Sequence, residues 1–167
     1  MVSASPASAQ DAGPYNLEAR AILKELVEIN TTDSSGSTTK AAEAMAARLK
    51  AAGFSDADVQ VLGPNPRKGN LVARLRGRNP GKPIVLLAHL DVVEALKADW
   101  SAALDPFVFT ERDGYFYGRG TSDDKNHAAI WIANLIRYKQ EGFVPARDLV
   151  VALTADEEGG DSNGVKW

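Results

Sequence analysis

The sequence contains no cysteine among its 167 residues. This absence excludes disulfide bonds, thiolate nucleophiles, iron–sulfur clusters and zinc sites built on cysteine. A metal ion would therefore have to be bound by histidine, aspartate or glutamate side chains.

Long hydrophobic runs and an excess of basic charge are also missing. The longest uncharged apolar run, residues 83–90, has the length of a strand and falls far short of the roughly 20 residues that span a bilayer. Lysine and arginine number 19 against 22 aspartates and glutamates, a formal net charge of -3. We therefore expect no membrane-embedded protein and no binding of nucleic acid or anionic membrane through a basic surface.

What is present has the composition of a globular domain, with 44% hydrophobic and 25% charged residues. Residues 1–14 differ, because they are rich in alanine, serine and proline and lack apolar periodicity, which predicts a disordered tail. Ala7-Ser8-Ala9 has the spacing of a signal-peptidase site, so the tail is alternatively the remnant of an export signal. The domain would begin at residue 15, in a periplasmic or secreted protein if the signal is real and in a cytoplasmic one otherwise.

Hydrophobic periodicity predicts an α/β fold, with a central sheet flanked by helices. The predicted helices cover residues 16–29, 41–52 and 126–141. The predicted strands cover residues 59–62, 70–75, 84–90 and 148–153, and a hairpin joins 107–110 to 115–117. Because the run 84–90 is apolar at almost every position, we expect this strand to be buried on both faces.

A histidine and an aspartate stand at the end of that apolar strand. His89 and Asp91 are two residues apart, and such residues point to the same side of an extended backbone. One imidazole nitrogen can then bind a metal while the carboxylate orients the ring. Taken alone, the pair equally suits a structural or surface histidine.

Two acidic clusters follow other predicted elements. Asp123 and Asp124 lie in a loop between the hairpin and the last helix, where Lys125 or a divalent metal could offset their repulsion. The alternative there is an acidic helix start favoured by the helix dipole. Asp156, Glu157 and Glu158 follow the last strand, where open α/β sheets bind ligands, although a solvated turn is the simpler alternative.

Considered together, the three clusters predict a metal site. Each follows an apolar strand or the hairpin, so the fold could bring all of them to one rim of the sheet. One histidine and several carboxylates suit zinc, cobalt or manganese.

The sequence resembles a known family, the M20 metallopeptidases. The resemblance extends from about Leu17 to the last residue. Within the family, the sequence is most similar to Gly-Xaa carboxypeptidases, N-acyl-amino-acid hydrolases and acetylornithine deacetylases. The resemblance rests on the ordered motifs AHLDVVEA, DPF, YGRGTSDDK and ADEEGG. It implies the N-terminal part of a zinc-peptidase catalytic domain of the phosphorylase/hydrolase-like type, which in complete form binds two metal ions bridged by a carboxylate.

The resemblance also implies a role for each motif residue. His89 would bind one metal, Asp123 would bridge both, and Glu158 would bind the second. Asp91 would orient the histidine, and Glu157 would be the general base. The substrate implied is a dipeptide or N-acyl amino acid with a free carboxylate, and the reaction is hydrolysis of its amide bond. His127 matches no ligand of the family.

The length of the chain leads to a separate expectation. Members of the family are more than twice as long, and the family's two remaining ligands, an acidic residue and a histidine, together with a smaller lid and dimerisation domain, would lie beyond Trp167. We therefore expect weak metal binding and little or no activity from these 167 residues. We also expect exposed apolar surface around Val151 and Leu153, which favours a homodimer or self-association.

Two other function classes are weighed against this one. A phosphoryl-handling domain also uses acids and a lysine at strand ends, but it places them on successive strands, whereas Asp123, Asp124 and Lys125 are contiguous. A non-catalytic module with the same fold would bind a metal or a partner without hydrolysing anything. Such a module would be distinguished by a free energy of unfolding that does not change when metal is added.

Overall fold

The protein is described by a computed structural model that covers residues 13–79 and 81–167. Three helices and six strands follow one another in the order α1 (Pro14–Glu28), α2 (Thr38–Ala51), β1 (Val59–Leu62), β2 (Asn70–Leu75), β3 (Ile84–His89), β4 (Thr110–Arg112), β5 (Tyr115–Tyr117), α3 (Lys125–Gln140) and β6 (Leu149–Thr154). The α/β class predicted from the periodicity is confirmed. The predicted tail falls almost entirely on residues 1–12, which lie outside the described residues.

Local sequence features explain where the first two helices begin. Helix α1 starts at Pro14, two residues before the predicted start at Asn16, because proline at the first position has a helical φ and needs no hydrogen-bond acceptor for its nitrogen. Helix α2 is capped by Ser37, whose Oγ accepts the Lys40 amide at 3.4 Å. No described helix has the length and apolar character required to cross a membrane.

The main sheet has four strands in the order β1-β2-β6-β3. Strand β2 runs antiparallel to both β1 and β6, and β3 runs parallel to β6. The last pair of the parallel ladder is His89 with Thr154. The segments that follow β3 and β6 therefore leave the sheet at the same edge.

Two of the helices pack against one face of this sheet, and the third packs on one of these two. Helix α2 contacts β1 and β2, α3 contacts β3 and β6, and α1 packs on α3. The strand residues on that face are buried, among them Leu71, Ala73, Ala88, Val151 and Leu153. This finding corrects the expectation that Val151 and Leu153 are exposed, because they point toward the helices.

The opposite face of the sheet is left uncovered by the described residues. Val85 is 57% exposed, Leu87 52% and Val72 37%. The prediction that the strand over residues 84–90 is buried on both faces is therefore wrong. Its uniformly apolar sequence is typical of a strand inside a two-sided α/β sheet, but the helices here cover one side only.

The hairpin is shorter than predicted on its first strand. Strands β4 and β5 pair with Arg112 opposite Tyr115, which leaves only Asp113 and Gly114 in the turn. Both turn residues have positive φ, 54° and 79°, as the tightest twisted hairpin turns require. The segment after β5 leads directly to the loop that carries Asp123.

Candidate metal site

The topology brings the three sequence clusters to one edge of the sheet. His89 is the last residue of β3, and residues 155–158 follow β6 on the adjacent strand. The loop between β5 and α3 carries Asp123 to the same edge. The predicted meeting of the clusters is therefore what the structure has.

The three predicted metal ligands form one group. One nitrogen of His89 and one carboxylate oxygen each of Asp123 and Glu158 all lie within 4.8 Å of one another. His89 Nε2 is 3.0 Å from Asp123 Oδ1 and 3.7 Å from Glu157 Oε2. This group can hold a metal ion, because its donors are the imidazole nitrogen and carboxylate oxygens that zinc and similar ions accept.

The imidazole of His89 is oriented differently from the expectation. Its Nδ1 donates to the main-chain carbonyl of Asp91 at 3.0 Å, whereas the nearest carboxylate oxygen of Asp91 is 3.6 Å away. A proton on Nδ1 leaves the lone pair of Nε2 free for a metal ion. We predicted that the Asp91 carboxylate orients the His89 ring. In the structure, the main-chain carbonyl of Asp91 does this instead.

The Asp91 carboxylate instead connects two elements of the site. Its Oδ2 accepts the main-chain amide of Glu158 at 2.9 Å, and its Oδ1 is buried without a hydrogen-bond partner. Asp91 itself is only 3% exposed. The side chain therefore holds the segment after β6 against the end of β3.

The site is electronegative, and the titration of its groups reflects this. Burial raises the pKa of the Glu158 carboxyl, and the neighbouring Asp123 charge raises it further. Burial alone would lower the pKa of His89, but the carbonyl and charge of Asp91, together with the charge of Asp124 and the hydrogen bond to Asp123, outweigh this effect and raise it. A bound cation would offset the negative charge that contributes to both shifts.

Lys125 does not supply that charge to the acids beside it. Its side chain is fully buried, and its ammonium donates to the carbonyls of Leu26 at 2.8 Å and Ile29 at 2.9 Å. Burial lowers its pKa to about 7, against a smaller opposing effect from Asp91. Lys125 binds the end of α1 and therefore does not offset the negative charge of Asp123 and Asp124. Of the two alternatives, this leaves a metal ion.

Asp124 and His127 pair with each other beside the ligand group. Asp124 Oδ2 accepts the main-chain amide of His89 at 3.3 Å, and its Oδ1 contacts His127 Nδ1. His127 is not part of the group that can hold a metal ion. It supports the end of β3 through Asp124 instead.

The residues near the start of β2 that hold the segment after β6 were not identified in the sequence analysis. Lys68 forms ion pairs with Asp156 and Asp33, and Asn70 accepts the Ala155 amide at 2.8 Å. Lys68 is 88 positions from Asp156, so no local spacing connects them. The only available signal was a polar Lys68-Gly69-Asn70 step directly before an apolar strand.

Known proteins resemble this chain in sequence and in fold. Residues 85–167 match the sequence model of peptidase family M20/M25/M40. A succinyl-diaminopimelate desuccinylase from Delftia acidovorans is 36% identical over 126 residues, which covers 74% of this chain and 32% of that protein. The N-fatty-acyl-amino acid synthase/hydrolase PM20D1 from Bos taurus is 39% identical over 93 residues, which covers 55% of this chain and 18% of that protein.

A solved structure shares the same architecture. The crystal structure of human carnosine dipeptidase 1 has a TM-score of 0.68 at 24% identity, covering 88% of this chain and 34% of that one. At this sequence identity, the similarity shows a shared fold and nothing about function. The chain spans about a third of the length of the desuccinylase and the dipeptidase. The family resemblance indicated by the motifs is confirmed.

Proposed function

Residues 85–167 belong to peptidase family M20/M25/M40, and on that premise we propose that this chain is part of a metal-dependent hydrolase. The reaction proposed for the whole protein is hydrolysis of an amide or peptide bond. The substrate is a dipeptide or an N-acyl amino acid with a free carboxylate. For the 167 residues themselves we propose metal binding with weak or no turnover.

The observation that carries this proposal is the convergence of His89, Asp123 and Glu158. They come from three separate segments, yet their donor atoms lie within 4.8 Å of one another. A surface cluster of acids would spread apart in solvent to reduce repulsion. Here the segments are fixed by main-chain amides that donate to the carboxylates of Asp91 and Asp124, so the acids are held together at a cost that a cation offsets.

The metal we propose is zinc, with cobalt or manganese as substitutes. One imidazole and two carboxylates give three protein ligands, the number expected for a catalytic zinc ion that keeps a further position for water or substrate. The family resemblance implies two ions in the complete site, which would share Asp123. The described residues provide three donors, so we assign one ion to this chain.

The residues around the ligands divide the work of hydrolysis. A bound divalent ion supplies acidity to a water molecule and polarises the substrate carbonyl. Glu157 has a side chain that is 57% exposed beside His89, so it can take the proton of the attacking water on its carboxylate. It can then give that proton to the amine nitrogen as the C–N bond breaks. Asp91 keeps His89 and Glu158 in place through its backbone and its carboxylate.

The substrate class is supported by what the relatives are named for. One is a desuccinylase and one is a synthase/hydrolase of N-fatty-acyl amino acids. The chemistry common to these names is an amide bond to an amino acid. The acyl group and the side chain of the substrate are outside this proposal.

Zinc titration with an alanine variant tests the proposal. We expect the purified chain to bind one zinc ion, measured by calorimetry or by competition with a chromophoric chelator. The Asp123→Ala variant should lose this binding, whereas Asp161→Ala, which removes an exposed acid from a neighbouring loop, should retain it. Equal affinity in all three proteins, or a site that prefers magnesium to zinc, would contradict the proposal.

A further inference from the structure

A buried lysine lies beneath the segment that carries Glu157 and Glu158. Lys68 belongs to the loop between β1 and β2 and is 8% exposed. Its ammonium is 2.5 Å from Asp156 Oδ1 and 2.5 Å from Asp33 Oδ1. The Asp156 side chain is 1% exposed, whereas that of Asp33 is 63% exposed. Lys68 is therefore the charge partner of a buried aspartate that directly precedes the two glutamates.

Asp156 adopts a conformation that needs such support. Its φ is +55°, in the left-handed region that costs free energy for a residue other than glycine. Its second carboxylate oxygen accepts the Ser162 amide at 3.0 Å, and its carbonyl accepts Asn163 Nδ2 at 2.9 Å. These bonds close the loop that follows the glutamates onto this one residue, through its side chain and its main chain.

The packing around the carboxylate leaves it no other position. A Cβ on Gly160 would lie 2.4 Å from Asp156 Oδ2, and the φ of Gly160 is +96°. A side chain there would displace the carboxylate, so glycine is required. The carboxylate is thus enclosed by Lys68 on one side and by the returning loop on the other.

Neighbouring residues on both sides are fixed as well. Asn70 Oδ1 accepts the Ala155 amide at 2.8 Å, and Asp91 Oδ2 accepts the Glu158 amide at 2.9 Å. Together with Lys68 these contacts hold residues 155–158 from two segments, residues 68–70 and the segment after β3. Among them, only Lys68 contributes a positive charge.

We propose that Lys68 is a positioning residue, which fixes the directions of the Glu157 and Glu158 side chains by anchoring Asp156 in its left-handed conformation. The assignment of those glutamates as base and ligand rests on the proposed function. The anchoring itself depends only on the contacts of Lys68 and Asp156. Lys68 does not touch the ligand group and acts through Asp156.

Zinc affinity and amide exchange together test this proposal. Lys68→Met should weaken zinc binding about 10- to 100-fold, the usual effect of removing a residue that orients a ligand. It should also speed the hydrogen exchange of the Glu158 amide, which is measurable by NMR without any metal. Lys68→Arg should retain most of the affinity. Lys50→Met, which removes an exposed lysine paired with exposed Asp56, is the matched control and should change neither quantity.

A double variant covers the case in which Lys68→Met does not fold because Asp156 is left buried and unpaired. Lys68→Met combined with Asp156→Asn leaves no buried unpaired charge, because Asp33 is exposed, and asparagine tolerates the left-handed conformation. We expect the same loss of affinity and the same faster exchange. A folded variant with unchanged exchange at Glu158 and unchanged zinc affinity would overturn the proposal. Absence of zinc binding in the unmodified chain would contradict the proposed function, while the exchange measurement would still decide the role of Lys68.

Discussion

The Nδ1 atom of His89 lies 3.0 Å from the carbonyl oxygen of Asp91, and the carboxylate of the same aspartate accepts the amide of Glu158 at 2.9 Å. One residue thus orients one proposed metal ligand, His89, with its backbone and holds the segment of another, Glu158, with its side chain. Substitution of Asp91 removes only the second function, because every residue retains a main-chain carbonyl. The two functions can therefore be separated by experiment.

We expect Asp91→Ala to weaken zinc binding by roughly 10- to 100-fold, because the Glu158 amide loses its acceptor. Asp91→Asn keeps an oxygen that can accept this amide, so its loss should be clearly smaller. Competition titrations of both variants against the unmodified chain provide the comparison. An equal loss in the two variants would mean that the negative charge of Asp91 matters and its hydrogen bond to Glu158 does not.

The adjacent glutamates should differ in their effect on metal binding. Glu158 belongs to the ligand group, so Glu158→Gln should weaken zinc binding at least about tenfold. Glu157 lies outside that group, so Glu157→Gln should leave the affinity within about threefold, a change below 1 kcal/mol. Both variants are measured by the same titration and serve as controls for each other. A reversed order would exchange the proposed roles of base and ligand.

The far end of the sheet should give the fold a pH dependence. The Gly77 amide donates to Asp148 at 2.6 Å, and Arg74 Nε donates to it at 2.7 Å. Both hydrogen bonds hold the pKa of Asp148 below its usual 3.8, and the bond from the Gly77 amide has the larger effect. A lowered folded-state pKa adds stability at pH values above the unfolded pKa, and this contribution is lost as the pH falls through the folded value. Asp148 therefore stabilises the fold at neutral pH and ceases to do so in acid.

Urea unfolding of the unmodified chain and of Asp148→Asn measures this contribution. The unmodified chain should be the more stable of the two at pH 7 and at pH 5, by a similar margin. Below about pH 4 the margin should shrink, because the unfolded chain then takes up a proton that the folded state binds less readily. A margin that stays constant down to the lowest pH would show that Asp148 acts by packing and not by charge.

Strand β3 offers a free edge for self-association. The amides of Ile84 and Leu90 donate to the β6 side of the sheet, so those of Val85 and Leu87 point to the opposite edge, since alternate residues of a parallel strand face opposite neighbours. In the described residues β3 pairs with β6 alone. The edge is apolar and uncharged, a combination that favours pairing with another chain.

We therefore expect the chain to associate with itself as its concentration rises, as sedimentation velocity would detect. Leu87→Lys should weaken this association about tenfold or more, because a charge on an edge strand opposes pairing. Ile130→Lys is the matched control, since Ile130 is 43% exposed on α3, away from β3. A monomer at all concentrations, or equal loss in both variants, would contradict a role for the β3 edge.

The sequence predicted the site better than it predicted the surroundings of the site. His89, Asp123 and Glu158 could be grouped because each follows a strand or hairpin, and strand ends meet at one edge of a sheet. The contacts of Lys125 and Lys68 could not be predicted, because a side chain's direction depends on packing between distant segments. The uncovered face of β3 was missed for a related reason: hydrophobic pattern shows that a strand can be buried, but not which elements cover it.

Anomalous diffraction from crystals of the chain grown with zinc would locate the bound ion. We expect one anomalous peak at about 2.0–2.2 Å from His89 Nε2 and from carboxylate oxygens of Asp123 and Glu158. The peak should be absent in crystals of Asp123→Ala. A zinc ion bound elsewhere, for example between His127 and Asp124, with no peak at His89, would show that these three residues do not form the metal site.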